Sequence, residues 1–211
     1  MKKQLYLTAF LIVLAPALMA QEIQTIFRNP SPSGGYVGIS NKFSMINDDY
    51  ANIVELYGGW FIKRRLLLGL GAAASTNYIP VPYEYRMAPG NRMSWQYGQF
   101  GFMSEYVFSS NRVIHVNLSL FAGAGFTLQY ERSDWDDWDD WDDWDHPDVD
   151  HDEDFFQVLE PGAQVEVNIF RWLRLSPGIS YRKTFGSDGY GLGDSKLSNW
   201  SYNITLKVGK F

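Results

Sequence analysis

Val113-Ile114-His115-Val116-Asn117-Leu118-Ser119-Leu120-Phe121-Ala122-Gly123-Ala124-Gly125-Phe126-Thr127-Leu128-Gln129-Tyr130 alternates from end to end. One parity holds Ile114, Val116, Leu118, Leu120, Ala122, Ala124, Phe126, Leu128 and Tyr130; the other holds Val113, His115, Asn117, Ser119, Phe121, Gly123, Gly125, Thr127 and Gln129. A period of two marks a β-strand with two different faces. Its length far exceeds the usual five or six residues of soluble strands, and it fits a tilted membrane crossing of about 9 to 11 residues with extensions. The polar face separates the two barrel types that alternate. A soluble barrel turns Lys, Glu and Thr to water, whereas Gly, Ser, Asn and Thr suit a narrow lumen filled by side chains. The apolar face is therefore expected to meet lipid.

The same rhythm extends outward in both directions. Eight runs alternate, near 35–45, 51–62, 66–78, 94–108, 113–130, 156–169, 173–186 and 198–209. Lys63-Arg64-Arg65, Ser109-Ser110-Asn111-Arg112 and Phe170-Arg171-Trp172 are short links, while 46–50, 79–93, 131–155 and 187–197 are mostly longer. Short periplasmic turns opposite longer outside loops are the asymmetry of an outer-membrane barrel. The fold class expected is all-β: an eight-stranded antiparallel up-and-down transmembrane β-barrel.

By parity the lumen holds Lys42, Glu55, Glu105, His115, Glu160, Glu166, Arg174, Arg182 and Lys207. A buried charge without a partner is costly, so this balanced set predicts internal ion pairs that hold the barrel together. With a three-residue loop centred on Arg171, Glu160 falls opposite Arg182 and Asn168 opposite Arg174. Aromatic residues make up 17% of the chain. Tyr78, Tyr130, Tyr181, Phe185, Trp200 and Tyr202 lie on the apolar parity at the outer ends, and Trp60, Tyr106 and Phe108 at the inner ends. Two such girdles are what bilayer interfaces select. Trp95 and Tyr97 break the pattern by falling on the lumen parity.

Residues 1–20 read as an export signal. Lys2 and Lys3 precede an apolar Leu5–Leu14 stretch, and Pro16-Ala17-Leu18-Met19-Ala20 forms a small-residue exit. Cleavage leaves about 191 residues: an N-terminal periplasmic segment at 21–34, then a barrel at 35–211. With no cysteine in the chain, a lipid anchor, disulfides and thiolate metal sites are excluded.

The last run, Trp200-Ser201-Tyr202-Asn203-Ile204-Thr205-Leu206-Lys207-Val208-Gly209-Lys210-Phe211, ends on an aromatic residue one position off the alternation, which calls for a bulge at Gly209. This run and the hairpin repeats resemble the small OmpA-like outer-membrane β-barrel family, particularly its Bacteroidetes versions, over residues 35–211. The resemblance implies residence in the outer membrane and insertion by the outer-membrane assembly machinery, with lipid as the surrounding partner. It implies no catalytic activity.

The unusual chemistry lies at 131–155. Asp134 to Asp145 reads DWDDWDDWDDWD, spacing Trp135, Trp138, Trp141 and Trp144 by three. His146 and Pro147 follow, then Asp148, Asp150, Asp152 and Asp154, with His151 and Glu153 interleaved. Residues 134–154 carry 13 of the 24 acidic residues, and without them the formal charge moves from −6 to +7. A period of three matches a polyproline-II-like turn that lines the tryptophans on one edge, a candidate for a surface ligand. Clustered carboxylates are hard oxygen ligands for Ca²⁺ or Mg²⁺, and His146 and His151 add a weaker transition-metal signal. A variable low-complexity surface loop accounts for the same residues.

Catalysis needs a nucleophile, base and orienter that converge. His115 reads as a filled-core histidine, and Ser119 on the same parity lies about 13 Å along the strand. No enzyme, no bound cofactor and no nucleic-acid partner is expected, and a monomer is. The rival class is a soluble lipocalin-like barrel carrying a small hydrophobic ligand.

Overall fold

The computed structural model describes residues 33–132 and 153–211. The expectations for the export segment, the N-terminal segment and most of the acidic loop lie outside the described residues. Eight long strands make the wall: β1 (Gly34–Ile46), β2 (Asp49–Ile62), β3 (Leu66–Ser75), β5 (Met93–Phe108), β6 (Ile114–Glu131), β7 (Asp154–Phe170), β8 (Leu173–Phe185) and β11 (Asn199–Lys210). Each pairs antiparallel with its chain neighbour, β1 with β11 closes one seam and β3 with β5 continues the ring past the short β4 (Ile79–Pro80). Closure leaves no unpaired edge, the condition for a sheet to cross lipid.

Alternation becomes burial. Along β1, outward Val37, Ile39, Phe43 and Met45 are exposed, while inward Tyr36, Ser40, Lys42 and Ser44 are buried. The outward set continues around the ring through Leu56, Leu70, Phe102, Leu118, Val165 and Leu206. An apolar band covering a whole barrel is far larger than any patch a soluble monomer leaves to water, so this surface faces lipid. Trp60, Tyr106, Phe108, Phe170 and Trp172 rim its inner end, and Tyr78, Phe185, Trp200 and Tyr202 its outer end, all exposed.

The wall is taller on one side. The 18 residues of β6, at about 3.3 Å each and a tilt near 40°, rise about 45 Å against an apolar band of about 25 Å. The outer parts of β5, β6 and β7 therefore stand beyond the membrane. This places Trp95 and Tyr97: both point inward and are buried, packed with Ile46, Ile79, Val81, Met93, Leu192 and Leu197 in an apolar cap over the lumen.

The turns depart from expectation in two places. The 46–50 connection is a two-residue hairpin in which Ile46 pairs with Asp49, with φ of 53° at Asn47 and 67° at Asp48. Asn and Asp tolerate this left-handed geometry, whose twist matches the flanking strands. Between β7 and β8 the link is Arg171-Trp172 rather than three residues, and a bulge between Asn168 and Phe170 restores the register. Asn168 therefore still lies opposite Arg174. The other outer connections contain short elements: β4 and a 3₁₀ turn (Tyr83–Tyr85), then β9 (Asp188–Gly189), β10 (Leu192–Gly193) and a one-turn helix (Asp194–Leu197).

Candidate functional site

All nine residues that the sequence assigned to the lumen are buried. Eight of them form two clusters, with Arg182 apart, because parity decides the face while strand tilt decides the height. In the inner cluster Lys207 Nζ donates to both Glu105 oxygens at 2.9 Å and also to Glu166. Arg174 donates to Glu166 at 3.1 Å, and His115 Nε2 lies 2.7 Å from it. Tyr36 and Tyr57 donate their hydroxyls to Glu105, the latter at 2.7 Å. In the outer cluster Lys42 donates to Glu55 at 2.7 Å and to Glu160 at 2.8 Å, while Ser180 donates to Glu160 at 2.6 Å.

Arg182 departs from the sequence expectation. The register runs so that it faces Glu160, but Pro161 interrupts the pairing there and Lys42 reaches across the lumen from β1 to Glu160 instead. Arg182 donates to the carbonyls of Leu197 at 2.8 Å and Met45 at 3.2 Å, and its guanidinium lies 4.7 Å from the Tyr97 ring centre. It ties the one-turn helix and the first hairpin to the apolar cap. The inner cluster thus holds two carboxylates and two strong bases, and the outer one two carboxylates bridged by Lys42, a pairing that makes their burial tolerable.

Gly38 makes the room that this network needs. A Cβ on it would stand 2.5 Å from the Tyr57 ring, so glycine lets Tyr57 reach Glu105. The cavity left in mid-lumen, lined by Lys42, Glu55, Glu105, Glu160 and Asn203 among others, measures about 10 Å³. That is room for one water and no more.

Phe211 closes the inner end. Pairing of β1 with β11 is regular from Gly35–Lys210 onward, so no bulge forms at Gly209. Phe211 instead continues the inward parity, with its ring centre 5.0 Å from Tyr36, 6.3 Å from Phe61 and 3.8 Å from the Arg174 guanidinium. An open depression of about 730 Å³ remains at this mouth, lined by Arg64, Arg171, Arg174 and Phe211 among others.

Of the proposed metal ligands, Asp148, Asp150, Asp152, His146 and His151 lie outside the described residues, as do Trp135, Trp138, Trp141 and Trp144. Asp154 is described. It opens β7 facing inward and buried, and it accepts from Ser187 Oγ and, at 3.4 Å, from the Asp188 amide. This carboxylate pins the β9–β10 hairpin. No cluster of three acidic or histidine residues is placed for a metal among the described residues. His115 has both ring nitrogens engaged, Nδ1 lying 3.0 Å from the Arg112 carbonyl.

No family model matches the chain, and no curated protein does. Among solved structures, the chain is similar to Neisserial surface protein A, with 10% identity and a TM-score of 0.59, covering 86% of this chain and 98% of that one. It is also similar to the N-terminal β-barrel domain of Pseudomonas aeruginosa OprF, with 11% identity and a TM-score of 0.51, covering 83% and 96%. At these identities the likeness speaks of fold. Together with the lipid-facing belt it defines the class: a small, eight-stranded transmembrane β-barrel.

Proposed function

We propose that this barrel is a non-enzymatic scaffold that conducts nothing and presents its acidic segment, residues 131–155, at the cell surface to bind divalent cations. The observation that carries the reading is the closed lumen. Paired charges fill its middle around a cavity of about 10 Å³, an apolar cap covers its outer end and Phe211 its inner end. A small-molecule pocket takes about 300 Å³ or more, and the described lumen interior is far smaller, which argues against a soluble carrier holding a hydrophobic ligand inside the barrel. Any chemistry with outside partners then falls to the outer segments, of which 131–155 is by far the most charged.

The cations suited to that segment are Ca²⁺ or Mg²⁺, held by Asp148, Asp150 and Asp152, with His146 and His151 as further donors. The Trp135, Trp138, Trp141 and Trp144 edge would meet a surface ligand. The terminal strand ending in Phe211 supports insertion by the outer-membrane assembly machinery, and it is also the ground for grouping the chain with the Bacteroidetes versions of the family.

Titrating the folded protein with Ca²⁺, Mg²⁺ and Zn²⁺ tests the cation reading. Half of the eight tryptophans lie in the segment, so saturable binding should change the Trp emission. An unchanged spectrum together with no calorimetric heat would remove the cation role and leave the scaffold alone.

A further inference from the structure

The inner rim carries charge of one sign. Lys63, Arg64 and Arg65 form the β2–β3 turn, Arg112 lies between β5 and β6, Arg171 joins β7 to β8, and Lys210 ends β11. All six are exposed, and the three inner turns hold no Asp or Glu. None of the six is in an ion pair among the described residues. The outer connections, by contrast, mix both signs, as in the Lys196–Asp48 bridge at 2.7 Å.

These cations sit at a defined depth. Arg171 lies between Phe170 and Trp172, whose exposed rings stack with centres 5.6 Å apart. The Arg65 carbonyl accepts from the Val107 amide at 2.7 Å, which sets Arg65 beside the Tyr106–Phe108 pair. Trp172 likewise accepts from the Gly209 amide at 3.0 Å, next to Lys210. Exposed aromatic side chains at the end of an apolar belt mark the membrane interface. The cations just past them stand at the level of the lipid headgroups and continue the lipid-facing surface.

We infer that this rim is a binding surface for anionic phospholipid headgroups of the periplasmic leaflet, which the barrel gathers around its inner end. The inference rests on the short turns facing the periplasm and does not depend on cation binding by the acidic segment. An uncompensated Lys or Arg near an anionic membrane surface favours the charged lipid about fivefold, an effect that salt screens. Averaged over the lipid positions around the barrel, the preference for the anionic lipid should be about two- to fivefold.

The test is electron paramagnetic resonance of the wild-type barrel in phosphatidylcholine bilayers with spin-labelled phosphatidylglycerol or phosphatidylcholine. The association ratio of the two labels should lie at about 2 to 5 in 0.1 M salt and fall towards 1 in 0.5 M salt. Lys63→Asn, Arg64→Asn, Arg65→Ser and Arg171→Ser combined, which leave Arg112 and Lys210, should lower it well towards 1. Asparagine is chosen where φ is 52° and 55°, because it tolerates that conformation. Arg64→Lys, Arg65→Lys and Arg171→Lys combined should keep the ratio, and so should the outer-rim control Lys183→Gln with Lys196→Gln. Folding of each sample is read from the gel shift between heated and unheated protein. A wild-type ratio near 1, an unchanged ratio in the folded inner-rim variant, or an equal fall in the outer-rim control overturns the inference. If the inner-rim variant fails to fold, the wild-type salt titration and the outer-rim control decide it.

Discussion

Replacing Lys207 with methionine removes the ammonium that sits between Glu105 and Glu166. Both ends of the Lys207–Glu105 pair have no exposed side-chain surface, and the contact is 2.9 Å. Methionine nearly matches lysine in volume, so the loss is electrostatic rather than steric. Glu166 keeps Arg174 at 3.1 Å, but Glu105 keeps only the Tyr36 and Tyr57 hydroxyls. Breaking a buried pair from one side costs about 3–5 kcal/mol, and stranding a carboxylate on two phenols puts this variant in that range. Adding Glu105→Gln restores the charge balance, and the double variant should recover to within about 1–2 kcal/mol of wild type. Urea unfolding of the barrel refolded in lipid, read by Trp fluorescence and by the gel shift on heating, closes the cycle. A Lys207→Met cost below about 1 kcal/mol, or a double variant as weak as the sum of its parts, would refute the pairing argument.

Three further substitutions probe other parts of the structure. Gly38→Ala drives a methyl into the Tyr57 ring at 2.5 Å, and it should cost about 1–3 kcal/mol in the same urea assay. Phe211→Ala loses the contacts with Tyr36 and Phe61 and the Arg174 cation–π contact; for this half-buried ring a loss of about 2–3 kcal/mol is expected. At the outer surface, burial alone would raise the Asp194 pKa. The Ser187 and Gly186 amides, each donating to the carboxylate at 3.0 Å, outweigh that and hold it below its ordinary 3.8. A group depressed in this way stabilises its loop above the ordinary value, and the contribution is lost as pH falls through the folded one. Amide NMR signals of Gly186 and Ser187 should therefore broaden or shift below about pH 3.8, and Asp194→Asn should produce part of that change at neutral pH.

Much of the wall could be read from residue parity. Val113–Tyr130 announced a two-faced strand, and the inward positions of all nine lumen charges followed from the same count. Partners were harder to foresee. Lys42 on β1 meets Glu160 on β7 across the lumen, a contact set by strand tilt and side-chain reach rather than by any strand register. The roles of Tyr36 and Tyr57 as donors to Glu105 left one faint sequence signal, the glycine at position 38 opposite an inward tyrosine. The first hairpin was legible in principle, since Asn47-Asp48 are residues that accept positive φ. Phe211 was expected to need a bulge at Gly209, yet regular pairing to Lys210 carries it inward as a plug. Trp95 and Tyr97 looked misplaced only while strand length was matched to the bilayer, for their segment of β5 rises above it.

Everything here depends on which face of the wall meets lipid. Intermolecular NOEs between lipid acyl chains and methyl groups, measured on the protein in nanodiscs, address that question directly. Leu56, Leu118 and Leu206, which point outward, should show strong contacts with the acyl chains, while Ile53, Leu67 and Val107, buried within the ring, should show none. Acyl-chain contacts to the second set and not the first, or a protein that stays soluble without lipid or detergent, would contradict the account.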